Sequence, residues 1–210
     1  MVRKATATLW SEQDRRHPGE RRRLFTAVSN AVDADRVLYP GSFVDISPSF
    51  VFDSVTYVDT DKRAAKFFAD DDGVREIIAD QEDPPEEPDF RFIHADYTSD
   101  LDLPDQDFDL LVSLFAGFVS DHCTDHLRIG GTLLVNGSHG DAALASIDPR
   151  YEFSGVVLAR AGEYRVSTAN LDTYLVPKKT QEITADSVRA SGRGIIYRVP
   201  AFAYLFTRTD

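Results

Sequence analysis

A glycine and a carboxylate near the start of the chain have the spacing of a ligand-binding pair. Gly41 follows a short β-prone run and Pro40, so the strand must end there, and the glycine allows a positive φ and close approach of a ligand. Asp59 ends a second apolar run, close to the spacing of about 20 residues expected for an acid that holds a ribose. Its carboxylate can accept hydrogen bonds from both ribose hydroxyls. The pair predicts a pocket for a nucleoside-containing ligand.

The apolar pattern predicts the elements that position this pair. Residues 37–39 and 55–58 read as strands, and Ser47 with Pro48 reads as the start of a brief helix between them. An amphipathic helix is predicted over 20–32, and further helices after caps at Thr60 and Asp72 and over 118–127. The other predicted strands cover 90–95, 108–114 and 132–135, followed by β-rich stretches at 151–160, 164–176 and 195–206. This alternation predicts a parallel sheet that binds ligands at the carboxyl ends of its strands.

Composition limits the classes of function. A chain of 210 residues with 42% hydrophobic content can bury one core, which favours a single domain. The net charge of −12 disfavours nucleic acid as a partner, because phosphate backbones attract basic surfaces. The single cysteine excludes an internal disulfide, and no apolar run reaches the roughly 18 residues of a membrane span. We therefore expect a cytoplasmic protein with a small-molecule substrate, and the sequence is compatible with a homodimer.

The charge is distributed unevenly. Residues 59–109 contain 18 acids against five bases, whereas residues 1–25 contain seven bases against three acids. The acidic region is interpreted as solvated surface plus a connection at 81–89, with attraction of a cationic cofactor or an amine substrate as the alternative. The arginines within 15–23 are interpreted as the exposed side of an N-terminal helix, with an anion site as the alternative. The segment 178–194 reads as a surface insertion or as a cover over the substrate opening.

Five segments resemble the class I S-adenosylmethionine-dependent methyltransferases. They are VLYPGSFVD, VTYVDTD, FIHADY, FDLLVSLFAGF and LRIGGTLLVNG. The resemblance implies a three-layer α/β sandwich, with a seven-stranded, mostly parallel sheet, an antiparallel C-terminal edge and helices on both faces. It divides the domain into an N-terminal helical segment (1–33), a cofactor-binding half (34–140) and a substrate-side half (141–210). It also implies S-adenosylmethionine as cofactor, bound by Tyr39, Gly41, Ser42, Phe43, Asp59, Thr60, Asp96, Tyr97, Ser113 and Phe115.

Two segments depart from that family's pattern. The family's glycine loop carries three glycines at alternate positions, and Phe43 and Asp45 replace the second and third. The strand that ends at 114 also lacks the Asn/Asp-Pro-Pro-aromatic signature of the members that methylate amino groups, which disfavours nucleobase amines. The resemblance therefore predicts a small-molecule methyltransferase. The alternatives are a non-catalytic scaffold or regulator of the same fold and, less favoured, a nicotinamide-dependent reductase, for which the three-glycine pyrophosphate turn is missing.

Histidines and the cysteine offer other chemistry. His122 and His126 have the spacing of a zinc-binding helix, but Cys123 occupies the place of the required glutamate, so no metal site is predicted. His139 follows a predicted strand at the ligand-binding edge of the sheet. A role in forming a turn is favoured for His139 over a role as proton acceptor. No catalytic residue is assigned. The candidates for contact with the molecule that accepts the methyl group are Ser113, Phe115, Phe118, His122 and His139.

Overall fold

The computed structural model describes residues 2–16, 18–180 and 182–210, so Gln181 of the segment 178–194 lies outside it, as does the side chain of Arg16. Seven α-helices and eight strands are found among the described residues. The helices are α1 Lys4–Arg16, α2 Glu20–Ser29, α3 Lys62–Phe68, α4 Asp71–Ala79, α5 Val119–Cys123, α6 Asp141–Ile147 and α7 Ala185–Ser191. The strands are β1 Arg36–Pro40, β2 Ser54–Val58, β3 Asp89–Ile93, β4 Phe108–Ser113, β5 Leu127–Val135, β6 Tyr151–Arg160, β7 Glu163–Ser167 and β8 Ala203–Arg208.

All eight strands join one mixed sheet in the order β3-β2-β1-β4-β5-β8-β6-β7. The first five strands of the chain pair in parallel, and β8 lies antiparallel between β5 and β6. The expected seven-stranded sheet is therefore wrong by one strand, because β7 adds an antiparallel edge beside β6. Ala161 (φ 53°) and Gly162 (φ 80°) form the two-residue turn between them. Such a turn with two positive φ values matches the strand twist and makes a tight hairpin.

Helices bury both faces of this sheet. On one face, side chains of β1, β2 and β4 pack against α2, α3 and α4, with large contributions from Phe25, Tyr57 and Phe67. On the opposite face, Leu38, Leu111 and other alternate residues pack against α5 and α6. Alternation of side chains along each strand sends neighbouring residues to opposite cores. The carboxyl ends of β1 to β4 are left as the open edge between the two layers.

Several element boundaries differ from those predicted. Asp61, not Thr60, caps α3, because its carboxylate accepts a hydrogen bond from the backbone N–H of Arg63. The helix α4 begins at Asp71, before the predicted cap Asp72. The predicted helix 118–127 is only α5 plus one 3-10 turn, and the β-rich stretch 164–176 contains only part of β7 and a short 3-10 turn. Ser47 lies within a single 3-10 turn, Ser47–Phe50, instead of capping a helix.

Among the helices found in residues 2–16, 18–180 and 182–210, none combines the length and the apolar character that a membrane span requires.

Candidate functional site

The turn after β1 requires glycine for two reasons. Gly41 has a φ of 69°, a conformation that costs other residues about 1–2 kcal/mol. A Cβ at this position would also overlap the Cβ of Ala116, which follows β4. The backbone N–H of Gly41 donates to the carbonyl of Val58 at 2.8 Å, so the turn is joined to the end of β2. Gly41 thus brings the ends of three strands into close contact.

Asp59 stands at the carboxyl end of β2 with its side chain fixed on both sides. Its Oδ2 accepts a hydrogen bond from the backbone N–H of Phe43, and its Oδ1 accepts one from the backbone N–H of Asp61, each at 2.7 Å. An ionised carboxylate offers about four acceptor sites, so each oxygen can accept one further hydrogen bond. The side chain is therefore held in place with a free acceptor site on each oxygen.

Phe43, at the second glycine position, does not line the cavity beside Gly41. It has a φ of 50°, and its backbone N–H serves Asp59. Its ring lies 4.8 Å from the guanidinium carbon of Arg63 and packs against the core on the α2 side of the sheet. The phenylalanine thus supplies a backbone donor to the site while its side chain packs elsewhere.

A cavity of about 280 Å³ opens where β1 to β4 end, and we call it the edge cavity. Its lining residues are Gly41, Asp59, Thr60, Ala95, Asp96, Tyr97, Phe115 and Ala116. Six of these are among the ten residues expected to bind a cofactor. Ala95 and Ala116 were missed, although each is adjacent in sequence to a predicted residue. The volume is near the lower end of the range of about 300–1,000 Å³ for ligand pockets.

Asp96 and Tyr97 form the β3 side of the edge cavity. Asp96 Oδ1 accepts hydrogen bonds from the backbone N–H and the hydroxyl of Thr98, each at 2.9 Å, and these lower the pKa of Asp96. Its Oδ2 accepts none from the described residues. Burial raises the pKa of Tyr97, whose hydroxyl donates to the Ala116 carbonyl at 2.6 Å. This bond joins the segments that follow β3 and β4.

Three of the residues expected at the cofactor do not line the edge cavity, in addition to Phe43. Tyr39 is buried, and its hydroxyl donates to Asp45 at 3.3 Å. Ser42 is also buried, and its Oγ has no hydrogen-bond partner in the described part of the chain. Ser113 donates instead to Asp141 at 2.5 Å. Sequence reasoning placed these residues near the correct strand ends but could not give their side-chain directions.

Asp141 is a buried acid that the sequence did not single out. Its Oδ2 accepts from the hydroxyl of Ser113 and its Oδ1 from the hydroxyl of Ser120, both at 2.5 Å. Burial raises the pKa of Asp141 to about 6, although these hydrogen bonds oppose the rise. The carboxyl group connects the end of β4 to α5 and the start of α6. It does not line the edge cavity.

A second cavity, of about 310 Å³, lies between the N-terminal helices and the sheet edge, and we call it the helix cavity. Its lining residues are Trp10, Gln13, Asp14, Arg21, Asp45, Ser47 and Phe115. Phe115 lines both cavities and is half exposed. The predicted helix over 20–32 thus covers the edge, but the contribution of α1 was missed because its residues are remote in sequence from the glycine turn.

The remaining candidates do not converge. Residues 2–16, 18–180 and 182–210 contain no cluster of three His, Cys, Asp or Glu side chains able to hold a metal ion. His122 packs beside Tyr97, His126 Nδ1 lies 3.1 Å from the Pro104 carbonyl, and His139 is exposed. Burial raises the pKa of the Cys123 thiol to about 12, so the thiol stays protonated at neutral pH. None of these four side chains lines either cavity.

Three solved structures share this architecture, and two of them are described as methyltransferases. A proposed O-methyltransferase from Klebsiella pneumoniae superimposes with a TM-score of 0.52 at 10% identity, over 79% of this chain and 88% of that chain. A proposed S-adenosylmethionine-dependent methyltransferase from Methanococcus maripaludis gives 0.51 at 14% identity, over 97% and 92%. A Corynebacterium glutamicum protein gives 0.50 at 13% identity, over 100% and 91%. This chain has the class I methyltransferase fold.

The resemblance first drawn from sequence segments is thereby confirmed at the level of fold. No protein-family model matches the chain, and no curated protein sequence matches it significantly. At 10 to 14% identity, the structural likeness carries the fold alone. The choice of cofactor and substrate depends on the residues that line the two cavities of this methyltransferase fold.

Proposed function

We propose that this chain binds S-adenosylmethionine in the edge cavity and methylates a small molecule held in the helix cavity. The observation that carries the proposal is the Asp59 carboxylate, fixed by two backbone N–H groups beside the Gly41 turn. A fixed acceptor loses little entropy when it binds a ribose, and its free acceptor sites match two vicinal hydroxyls.

The residues around the edge cavity fit this cofactor. Asp59 and Asp96 are the charged residues of the described lining, so its formal charge of −2 complements a cationic sulfonium. Asp96 Oδ2 can accept a hydrogen bond from an adenine amino group, and Gly41 contributes to the lining without a side chain of its own. Bound S-adenosylmethionine supplies an activated methyl group. The protein must then align an acceptor and take its proton where required.

The position of the helix cavity supports a small-molecule acceptor. Phe115 is a wall of both cavities, so a molecule in the helix cavity lies next to the cofactor's place. The net charge of −12 disfavours a polyanionic substrate. A nicotinamide dinucleotide is also disfavoured, because two acids in the described lining of the edge cavity would face its diphosphate.

A non-catalytic protein of the same fold is the second candidate. Phe43 and Asp45 at glycine positions of the loop favour it, because a loop that no longer bound cofactor would be free to lose its glycines. The ring of Phe43 weighs against it, since it packs beside Arg63 and leaves the edge cavity open. Cofactor binding therefore separates the two candidates.

Titration calorimetry with S-adenosylhomocysteine and S-adenosylmethionine tests the proposal. We expect binding by the unmodified protein and a loss of at least about a hundredfold in affinity for Asp59→Asn, because each hydrogen bond to a charged group contributes about 1.5–3 kcal/mol. The matched control is Asp61→Asn, whose side chain caps α3 outside the cavity and whose replacement retains the cap. Its affinity should stay within about twofold.

Absence of heat and of a thermal shift at millimolar ligand would remove the cofactor from the proposal and leave the non-catalytic candidate. Equal loss in both variants would show that Asp59 acts through the loop or through overall stability, and not through the ribose.

A further inference from the structure

A smaller cavity, of about 220 Å³, lies apart from the edge cavity and the helix cavity, and we call it the lysine groove. Its lining residues are Lys178, Lys179, Gly194, Ile195 and Ile196. Gly194 joins the groove to the turn after β5, because its backbone N–H donates to the Ser138 carbonyl at 3.1 Å. A Cβ at Gly194 would overlap the carbonyl oxygen of Gly137. The groove is therefore held close to the sheet edge at which β5 ends.

Two short extended segments pair beside the lysine groove. The backbone N–H of Lys178 donates to the Ile196 carbonyl, and that of Arg198 donates to the Val176 carbonyl, each at 2.8 Å. In such an antiparallel pair, opposite residues share a face and successive residues alternate between faces. Tyr197 is buried, so Lys178, Ile196 and Arg198 share the opposite face, where all three are exposed. An apolar side chain is thus presented to solvent beside two cations.

The lysine groove is cationic, although the protein is acidic. Residues 176–198 contain five bases against two acids, whereas the whole chain has a net charge of −12. Arg189 is paired with Asp121 at 2.7 Å. All 35 acidic residues of the chain lie in its described part, and none has a carboxylate oxygen within 4 Å of the amino group of Lys178 or Lys179. Two adjacent ammonium groups without a carboxylate partner favour an anionic ligand.

The isoleucines of the lysine groove favour a ligand with a hydrocarbon body. Ile196 is 74% exposed, the largest fraction among the described large apolar side chains. A ligand that covers Ile195 and Ile196 removes apolar surface from water, whereas an inorganic anion leaves it exposed. The volume of about 220 Å³ exceeds the roughly 150 Å³ of a cavity that binds benzene. The groove can therefore hold a chain of several carbons.

The charge of the whole molecule favours a small anion over an anionic membrane, although both offer an acidic head group and hydrocarbon. A bilayer faces a broad part of the protein surface, and the net charge of −12 opposes its approach. A small anion enters the groove, where the local lysines dominate because charges act over about 8 Å at physiological ionic strength. The groove therefore selects a single small molecule.

We propose that the lysine groove binds a small amphipathic anion, with its carboxylate at Lys178 and Lys179 and its hydrocarbon body on Ile195 and Ile196. This site goes beyond the function proposed above, and binding there requires no cofactor. Each exposed charge contact contributes little by itself, so the head group and the hydrocarbon body are both needed.

The methyl signals of isoleucine side chains in nuclear magnetic resonance spectra test this binding, and the Ile196 signal is identified by its absence in Ile196→Val. Four probes, octanoate, octanamide, octylammonium and acetate, are titrated at neutral pH without cofactor. We expect octanoate to shift the Ile196 signal and to bind at least about fivefold more tightly than octanamide or octylammonium, with no shift for acetate. Equal or tighter binding of any other probe, or no shift with octanoate at millimolar concentration, would overturn the proposal.

Replacement of both lysines tests the contribution of the head group. Lys178→Gln combined with Lys179→Gln should weaken octanoate binding about fivefold, because two exposed charge contacts are lost, and should leave octanamide binding unchanged. The matched control combines Lys62→Gln with Lys66→Gln on α3, which changes the net charge equally outside the groove. Its octanoate affinity should stay within about 1.5-fold, because salt screens distant charges. Equal weakening in the two double variants would contradict the proposal, since octanoate would then respond to net charge alone.

Co-sedimentation with phosphatidylglycerol vesicles distinguishes a free anion from a bilayer. We expect no protein in the vesicle fraction at physiological salt, because the net charge of −12 opposes the anionic surface. Sedimentation of the unmodified protein that is lost when Lys178 and Lys179 are replaced would assign the groove to a membrane and overturn the proposal. Because none of these experiments contains cofactor, a failure of S-adenosylmethionine binding in calorimetry leaves their outcome independent.

Discussion

Replacement of Asp141 by asparagine should change the pH dependence of stability in a defined direction. The carboxyl group is almost fully buried between β4, α5 and α6 and accepts hydrogen bonds from Ser113 and Ser120. Burial raises the pKa of Asp141 from 3.8 to about 6. The folded state therefore binds this proton more tightly than the unfolded state does. An asparagine has nearly the same shape, can serve both serine hydroxyls and does not titrate.

The sign and the size follow from proton linkage. Between pH 3.8 and about 6 the folded protein holds more protons than the unfolded chain, so the free energy of unfolding falls as the pH rises. A rise in pKa from 3.8 to about 6, at about 1.4 kcal/mol for each pKa unit, corresponds to about 3 kcal/mol. The contribution of Asp141 is fully present below pH 3.8 and lost above about pH 6. The free energy of unfolding of Asp141→Asn minus that of the unmodified protein should therefore increase by about 2.4 kcal/mol from pH 4 to pH 7, because part of the contribution is already lost at pH 4.

Urea unfolding followed by circular dichroism at several pH values measures this difference. Subtraction of the two proteins removes the contributions of the other carboxyl groups, several of which have lowered pKa values and act in the opposite direction at lower pH. Asp186→Asn, on the exposed first turn of α7, is the control, with changes within about 0.5 kcal/mol at each pH. A difference that stays constant with pH would refute the burial argument for Asp141.

Two further predictions concern the glycine loop. Gly41→Ala should lower the free energy of unfolding by more than Gly192→Ala does. Both glycines have a positive φ, but only at Gly41 would an added Cβ meet a neighbouring side chain. Equal losses in urea unfolding would mean that Ala116 moves aside without cost. Phe43→Gly should bind S-adenosylhomocysteine with an affinity within about twofold of that of the unmodified protein, because the ring lies outside the edge cavity. A tenfold gain in affinity measured by calorimetry would show that the ring obstructs the ligand.

Much of the edge cavity could be predicted because its residues follow strands. Gly41, Asp59 and Asp96 each come directly or shortly after an apolar β-prone run, and parallel strands bring such positions to one edge of a sheet. Where the chain runs in one direction through successive strands, spacing along the sequence is enough to place residues together. The side-chain directions of Tyr39, Ser42 and Ser113 were not predictable from the sequence. Tyr39 and Ser113 donate hydrogen bonds to Asp45 and Asp141, which lie outside their own strands, and the buried Ser42 hydroxyl has no partner among the described residues.

The sequence by itself determined the order of the first five strands, the helices between them, the break after β1 and the acid after β2, because these follow from local backbone preferences and apolar periodicity. Tertiary structure alone decided the eighth strand, the packing of the Phe43 ring beside Arg63 and away from the edge cavity, and the meeting of Trp10, Arg21 and Phe115 around the helix cavity. Those features depend on contacts between residues far apart in the chain. The helix cavity, for example, depends on the packing of the N-terminal helices over the sheet edge, and no local sequence pattern predicts that packing.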